Sequence, residues 1–155
     1  MNSLLLAWAQ GLGLGRLPIA PGTWGSLLAF PIWWVCGGVE ATPLLLVPVG
    51  LALLASAWAA CEAGEKAWGH DPGRVVVDEV AGQWLTLALG PSTLLAGWPG
   101  WVAAFLLFRL FDIWKPGWVD RAQGLPGGLG VLADDLLAAL LAAGCLWLPV
   151  LSGWV

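Results

Sequence analysis

Two pairs of adjacent acids mark where this sequence could do chemistry. Asp78 and Glu79 precede one strongly apolar stretch, and Asp134 and Asp135 precede another. An acid at the centre of a bilayer costs roughly 2.5–3.5 kcal/mol, and less toward the edge, so the pairs require compensation. The positive end of a helix supplies some of it. Mg²⁺ also suits such oxygens, because it binds one or two carboxylates together with phosphate and water. A metal site and a charge-stabilised helix start are both compatible with this pattern.

Basic residues accompany the acids. Arg109, Asp112 and Lys115 are spaced by three and therefore share one face of a helix. Arg16 follows a glycine-rich segment, and Arg121 lies further along the chain. Carboxylates that hold Mg²⁺, opposed by Arg and Lys that hold phosphate oxygens, are suited to phosphoryl transfer. The plainer interpretation of the residues spaced by three is a buried ladder of ion pairs.

The composition indicates a lipid environment. The chain has 155 residues, of which 59% are hydrophobic and 10% charged, and its mean hydropathy is +0.83. Soluble domains carry about 25% charged residues. A core of this size cannot bury so much apolar surface, because a 150-residue domain leaves about 30% of its unfolded surface wet. Disorder, an ordinary water-soluble fold and a basic nucleic-acid-binding protein are therefore excluded, and the expected partner is a membrane.

The charge-free runs predict helices that cross a bilayer. They cover residues 1–15, 17–39, 41–61, 80–108 and 136–155. About 20 apolar residues span the hydrocarbon as a helix, and continuous rather than alternating apolar runs favour helices over a barrel. Turn signals at residues 90–93 and 97–100 divide the longest run. The predicted spans are 23–38, 42–61, 75–89, 101–114 and 135–154.

The expected fold is all-α. We predict a polytopic integral membrane helical bundle with about five transmembrane helices, in a single domain covering residues 1–155. Residues 1–15 are too short to cross, so they are expected at the interface or as a re-entrant segment. They lack the basic start and the cleavage site of a signal peptide. Because the spans at 75–89 and 101–114 are short, their charged residues must lie at the membrane boundary.

The distribution of charge predicts the topology. Threading five spans returns residues 62–74 and 115–134 to the same side as Arg16. All six Lys and Arg residues then fall on that side or at its edge, and Glu40 remains on the other. The excess of basic residues predicts that the charged side is cytoplasmic.

Other catalytic chemistries fit the sequence poorly. The three cysteines, Cys36, Cys61 and Cys145, form no C-x-x-C pair and have no neighbouring histidine, so a zinc site is not expected. No Cys-x5-Arg motif is present, because Ala67 is the residue six after Cys61. His70 is the only histidine, whereas a lipid phosphatase with a histidine nucleophile would need two.

Four segments together resemble one protein family. They are residues 18–26 (PIAPGTWGS), 75–82 (VVVDEVAG), 108–116 (FRLFDIWKP) and 127–135 (GGLGVLADD). In this order and spacing they are similar to the phosphatidylglycerophosphatase A family, over about residues 11–148. The resemblance implies a Mg²⁺-dependent phosphatase of the bacterial cytoplasmic (inner) membrane. It would hydrolyse phosphatidylglycerophosphate to phosphatidylglycerol and phosphate.

The resemblance also implies roles for individual residues. The acids carried over as catalytic are Asp78, Glu79, Asp112, Asp134 and Asp135. Those expected to hold Mg²⁺ are Asp78, Glu79, Asp134 and Asp135. The residues expected to bind the substrate are Arg16, Arg109, Lys115 and Arg121, with the N–H groups of Gly127, Gly128 and Gly130. Direct attack by water and a phospho-aspartyl intermediate both remain open.

Two non-hydrolytic functions are the alternatives. A small ion or proton carrier would line a path with acids at the midplane and on both sides of the membrane. A non-catalytic membrane subunit would use the charges to hold a partner, which leaves the two acid pairs without an explanation.

Overall fold

The computed structural model describes residues 3–70 and 72–154, all helix, turn or loop. Met1, Asn2, Asp71 and Val155, which belong to the predicted single domain, lie outside the described residues. The α-helices are α1 (Ser3–Ala9), α2 (Pro21–Val35), α3 (Pro43–Trp68), α4 (Val77–Leu89), α5 (Ser92–Leu95), α6 (Trp98–Trp114), α7 (Trp118–Ala122) and α8 (Gly128–Leu151). Two 3₁₀ segments, Gly11–Arg16 and Gly38–Glu40, flank α2. The all-α prediction is confirmed.

The five longest helices fall where spans are predicted, with one consequential difference. α8 begins at Gly128 rather than at residue 135, so Asp134 and Asp135 lie about two turns inside the helix instead of at its start. The prediction of paired acids at a helix start is therefore wrong for α8 and confirmed for α4, which has Asp78 and Glu79 in its first turn. The reason is that the glycine-rich segment before Asp134 is itself helical.

The exterior of the bundle is apolar. Large side chains such as Val35, Leu44 and Trp154 are more than 80% exposed. Among the described residues, α3 and α8 are long and apolar enough to cross a membrane, and only 28% of the most apolar window of α3 is buried. So large an exposed apolar surface suits lipid rather than water. The number of five crossings stays a prediction.

Residues 3–16 fold back onto the bundle. α1 has seven residues, too few to cross a bilayer, and it packs against α3. The indole N–H of Trp8 donates a hydrogen bond to Ser56 Oγ at 3.3 Å. Beyond α1, the backbone N–H of Val76 donates to the carbonyl of Ala9 at 2.8 Å. The N-terminal segment therefore braces the loop that leads into α4.

α4 is the central helix. It contacts α2, α3, α6 and α8, and nine of its 13 residues are buried. Two acids in its first turn suit the positive end of the helix dipole. The helix ends at Leu89, just before Gly90 and Pro91, because the residue preceding a proline disfavours the α conformation. Residues on its first turn are therefore held by helices on several sides.

Successive long helices alternate in direction, which gathers the charged residues at one end. The start of α2, the end of α3, the start of α4, the end of α6 and the start of α8 meet there, and we call this the charged end. At the opposite end, a cavity of about 390 Å³ is lined by residues that include Trp33, Gly38 and Ser92. Trp147 donates its indole N–H to the Leu89 carbonyl at 2.9 Å nearby. Acids crowded at one end do not form the membrane-spanning path that a carrier requires.

Glycines allow the helices to approach closely near the charged end. A Cβ added to Gly82 would lie 2.6 Å from the Phe108 ring and 3.0 Å from the Asp135 carbonyl oxygen. One added to Gly25 would lie 2.6 Å from the Val76 carbonyl oxygen. These contacts bring α4 against α6, α8 and α2, so the small residues set the helix spacing around the acids.

We expect Gly82→Ala to destabilise the protein, because Phe108 is fully buried and cannot move aside. Overpacking costs about 1–3 kcal/mol, and about 2–4 °C of Tm per kcal/mol is typical of a chain this size. Gly144→Ala in α8 is the matched control, since its Cβ would meet no atom within 4 Å. That variant should melt at or slightly above the wild-type temperature. Thermal unfolding in detergent measures both, and equal Tm values would contradict the packing argument.

Candidate active site

Three carboxylates converge at the charged end. Asp78 and Glu79 come from the first turn of α4, and Asp135 comes from α8. One oxygen from each lies within 4.8 Å of the others. Asp78 is 7% exposed and Asp135 is 3% exposed. We call these three residues the acid group; it contains three of the four predicted metal ligands.

Each acid pair is oriented by its own backbone. Asp78 Oδ1 accepts a hydrogen bond from the Glu79 N–H at 3.1 Å. Asp134 Oδ1 accepts one from the Asp135 N–H at 3.1 Å. The second acid of each pair keeps both of its oxygens for other partners.

Two oxygens of the acid group have no hydrogen-bond partner in the described part of the chain. Glu79 Oε2 and Asp135 Oδ2 are buried and make no hydrogen bond within residues 3–70 and 72–154. A buried polar atom without a partner is unfavourable, and a buried charge more so. Clustered carboxylate oxygens are the hard ligands that Mg²⁺ prefers. The donor set and its unsatisfied oxygens therefore fit a magnesium ion.

Arg109 connects the acid group to α2. Its Nη1 lies 2.5 Å from Asp112 Oδ2 and 3.9 Å from Glu79 Oε1. The same nitrogen donates to Ser26 Oγ at 3.4 Å, and the Ser26 hydroxyl donates to the Gly22 carbonyl at 3.0 Å. Arg109 Nε is buried without a partner among the described residues. Arg109 thus contacts two acids and retains one donor, its Nε–H, for which the described residues offer no acceptor.

Lys115 holds the fourth predicted metal ligand. Its Nζ donates to Asp134 Oδ2 at 2.6 Å, and Asp134 is 3% exposed. Lys115 caps the end of α6 in a left-handed conformation, just before Pro116. The structure thus places Asp134 in an ion pair rather than in the acid group. Metal binding by Asp134 stays a prediction.

The glycine-rich start of α8 is occupied by protein contacts. The Gly128 N–H donates to Glu62 Oε2 at 2.7 Å, and the Gly130 N–H donates to the Gly127 carbonyl at 3.0 Å. These two N–H groups therefore have partners within the protein, and phosphate binding by Gly127, Gly128 and Gly130 stays a prediction. A Cβ on Gly128 would lie 2.6 Å from the Glu62 Cα, so the glycines serve close packing of α8 on α3.

The other two predicted substrate-binding cations lie outside the acid group. Arg16 is exposed, and its Nε donates to Gln10 Oε1 at 2.6 Å. Arg121 lies on the exposed face of the short helix α7 and makes no ion pair with the part of the chain that the structure describes. Their role in binding the substrate stays a prediction.

Several residues at the site were not singled out from the sequence. Glu62 places its carboxylate at the start of α8, where the positive end of the helix dipole stabilises an acid. A Cβ on Gly22 would overlap Glu79 Oε1, so this glycine admits the Glu79 carboxylate against α2. Gln83 is fully buried one turn after Glu79, and its amide atoms have no partner in the described chain. Two sequence signals could have identified them: Glu62 is the first charged residue after a long apolar run, and Gly22 lies at the start of a helix.

The family model described as "PgpA: Phosphatidylglycerophosphatase A" matches residues 5–150. The chain belongs to the phosphatidylglycerophosphatase A family. The match spans every helix from α2 to α7, most of α1 and α8, and all three members of the acid group.

Curated relatives agree with this membership. A phosphatidylglycerophosphatase A of Escherichia coli strain K12 is 38% identical over 143 residues, which are 90% of this chain and 79% of the relative. One from Haemophilus influenzae is 35% identical over 86% of this chain and 81% of the relative. A protein of Bacteroides thetaiotaomicron named "Putative phosphatidylinositol-3-phosphatase" is 44% identical over 84% of this chain and 83% of the relative. No solved structure matches the chain.

We expect Arg109→Met to destabilise the protein strongly, because it leaves Glu79 and Asp112 without the cation that contacts them. Removing one partner of a buried pair costs about 3–5 kcal/mol. Arg109→Lys should lose less stability, since it keeps the positive charge although it lacks the planar guanidinium group. Thermal unfolding in detergent with a chelator present is the measurement.

Lys66→Gln is the matched control for these variants. Lys66 pairs with Glu62 at 2.8 Å, but its side chain is 70% exposed, and such pairs contribute about 0–1 kcal/mol. If the Arg109→Met and Lys66→Gln proteins had the same Tm, Arg109 would not stabilise the site.

Proposed function

We propose that this protein hydrolyses the terminal phosphomonoester of phosphatidylglycerophosphate, producing phosphatidylglycerol and phosphate. The observation that carries the proposal is the acid group beside Arg109, in a chain of this family. A buried set of carboxylates with unsatisfied oxygens, next to a cation with an unused donor, suits a phosphate held by both. The substrate is a lipid, which agrees with the apolar exterior of the bundle.

Asp78, Glu79 and Asp135 would hold Mg²⁺. When bound, the ion supplies Lewis-acid stabilisation of the charge that develops on the phosphate oxygens. The unpartnered Glu79 Oε2 and Asp135 Oδ2 are the oxygens that such an ion would satisfy. Asp134 would act on the site indirectly, by holding the Lys115 ammonium in an ion pair.

The protein's own residues position the reacting groups. Arg109 would bind a phosphate oxygen through its unused donor, and Asp112 holds the guanidinium in place from one turn further along α6. In the reaction, a bond forms between phosphorus and the attacking water oxygen, and the bond to the glycerol oxygen breaks. A carboxylate of the site takes the proton from water and gives it to the glycerol oxygen as that oxygen leaves.

We also propose a multi-pass topology in which the charged end faces the cytoplasm. Arg16, Lys66, Arg74, Arg109, Lys115 and Arg121 all belong to segments at the charged end. An excess of basic residues on one side is typical of cytoplasmic segments. The five long helices, run alternately, would each cross the bacterial inner membrane and leave the site open to the cytoplasm.

Loss of one acid should abolish turnover. We expect Asp78→Asn and Asp135→Asn each to reduce phosphate release from phosphatidylglycerophosphate by at least about 100-fold, because each removes a charged ligand oxygen. Glu40→Gln, an exposed acid at the opposite end, is the control and should retain wild-type turnover. Near-normal turnover in either aspartate variant would refute the role of that residue.

Removal of divalent cations should stop the reaction reversibly. EDTA should bring phosphate release to background, and Mg²⁺ in excess over EDTA should restore it. Titration with Mn²⁺, followed by electron paramagnetic resonance, gives a readout independent of turnover. The wild type should bind Mn²⁺, and Asp135→Asn should bind it at least about 10-fold more weakly. Activity that persists in EDTA would refute metal dependence.

A further inference from the structure

A second polar cavity lies beside the acid group, on the other side of the start of α2. It has a volume of about 540 Å³, and its walls include Arg16, Arg74, Gln10, Pro21 and Trp68. Pro21 and Gly22 are consecutive, and their Cα atoms are about 3.8 Å apart. Pro21 borders this cavity, whereas Gly22 abuts the Glu79 carboxylate. The first turn of α2 therefore separates the two sites by the width of one residue or two.

The local packing brings the two arginines to one cavity. A Cβ on Gly15 would overlap the Arg74 carbonyl, so the segment that ends at Arg16 lies directly against the segment that carries Arg74. The hydrogen bond from the Val76 N–H to the Ala9 carbonyl fixes the same two segments. Any larger residue at position 15 would push the cations apart.

Arg16 is oriented by a buried side chain. Gln10 is 5% exposed, and its Oε1 accepts the Arg16 Nε hydrogen at 2.6 Å. This bond uses the inner edge of the guanidinium and leaves the two terminal nitrogens directed away from Gln10. A surface arginine that a buried amide holds in place is preorganised for a ligand.

Among the described residues, Arg16 and Arg74 have no acidic partner. Across residues 3–70 and 72–154, neither Arg16 nor Arg74 forms an ion pair with an acid, whereas Arg109 and Lys115 both do. Two arginines that line one cavity, without an acidic partner in residues 3–70 and 72–154, favour an anion with several oxygens, above all a phosphate.

We propose that Arg16 and Arg74 bind the phosphodiester of the lipid headgroup while the acid group takes its phosphomonoester. This inference rests on the proposed function and refines it. The preferred substrates are lipids whose headgroup carries a diester and a monoester close together, as phosphatidylglycerophosphate does. Phosphatidate has a monoester and no diester, so it occupies only one of the two sites.

The test compares two lipids in micelles of a neutral detergent, without other anionic lipids. Arg74→Gln should lower kcat/KM for phosphatidylglycerophosphate by about 10-fold or more, because a charge-assisted hydrogen bond is lost. It should leave kcat/KM for phosphatidate within about 2-fold of the wild-type value. Arg74→Lys should be intermediate, and Lys66→Gln, an exposed cation outside the cavity, should change neither value. An equal loss of kcat/KM on both lipids in Arg74→Gln, or no loss on either lipid, would overturn the proposal.

A binding measurement separates this inference from the proposed function. Phosphatidylglycerol carries the diester alone, so its binding requires no hydrolysis. The wild type should bind phosphatidylglycerol in neutral micelles, and Arg74→Gln should bind it at least about 10-fold more weakly, while inorganic phosphate competes poorly. Equal binding by the two proteins would refute the diester site even if the wild type hydrolyses phosphatidylglycerophosphate. Weaker binding by the variant would support the diester site even if the wild type releases no phosphate.

Discussion

The balance of charge among the buried side chains of the charged end is the constraint on which this structure depends. Five carboxylates lie there, on Asp78, Glu79, Asp112, Asp134 and Asp135. In the described chain, the cations that contact them are Arg109 and Lys115. An uncompensated buried charge costs several kcal/mol, so all five acids can remain ionised only when further positive charge is supplied. In the proposed function, a divalent ion would supply this missing positive charge.

Close helix packing makes this concentration of acids possible. Gly22 admits the Glu79 carboxylate against α2, Gly82 brings α4 against α6 and α8, and Gly128 seats α8 on Glu62. With alanine at these positions the helices would have to separate, and the acid group would open. Glycine within a helix lowers its intrinsic stability by about 1 kcal/mol. Glycine stands where the acids converge, so the geometry of the site depends directly on the spacing of the helices.

The charged end was predictable from the sequence because alternate helices run in opposite directions and return charged segments to one side. The first-turn position of Asp78 and Glu79 followed from the apolar run behind them. The start of α8 did not, because residues 128–133 carry no charge or proline to mark a boundary and the capping carboxylate comes from α3. Contacts such as Glu62 with Gly128, or Gly15 with Arg74, join distant segments and leave no local pattern. The pairing of Asp134 with Lys115 was equally invisible to spacing alone.

The lengths of α3 and α4 have a consequence for how reactants arrive. At about 1.5 Å per residue, α4 is about 20 Å long and α3 about 39 Å long. A Cβ on Gly64 would meet Val75, so the last turn of α3 extends past the start of α4 and forms part of a rim above it. The first turn of α4, which carries Asp78 and Glu79, therefore lies below the level of the last turn of α3. In the proposed topology, a lipid reactant would approach the acids from the side within its leaflet, and its encounter rate would follow its surface density rather than its bulk concentration.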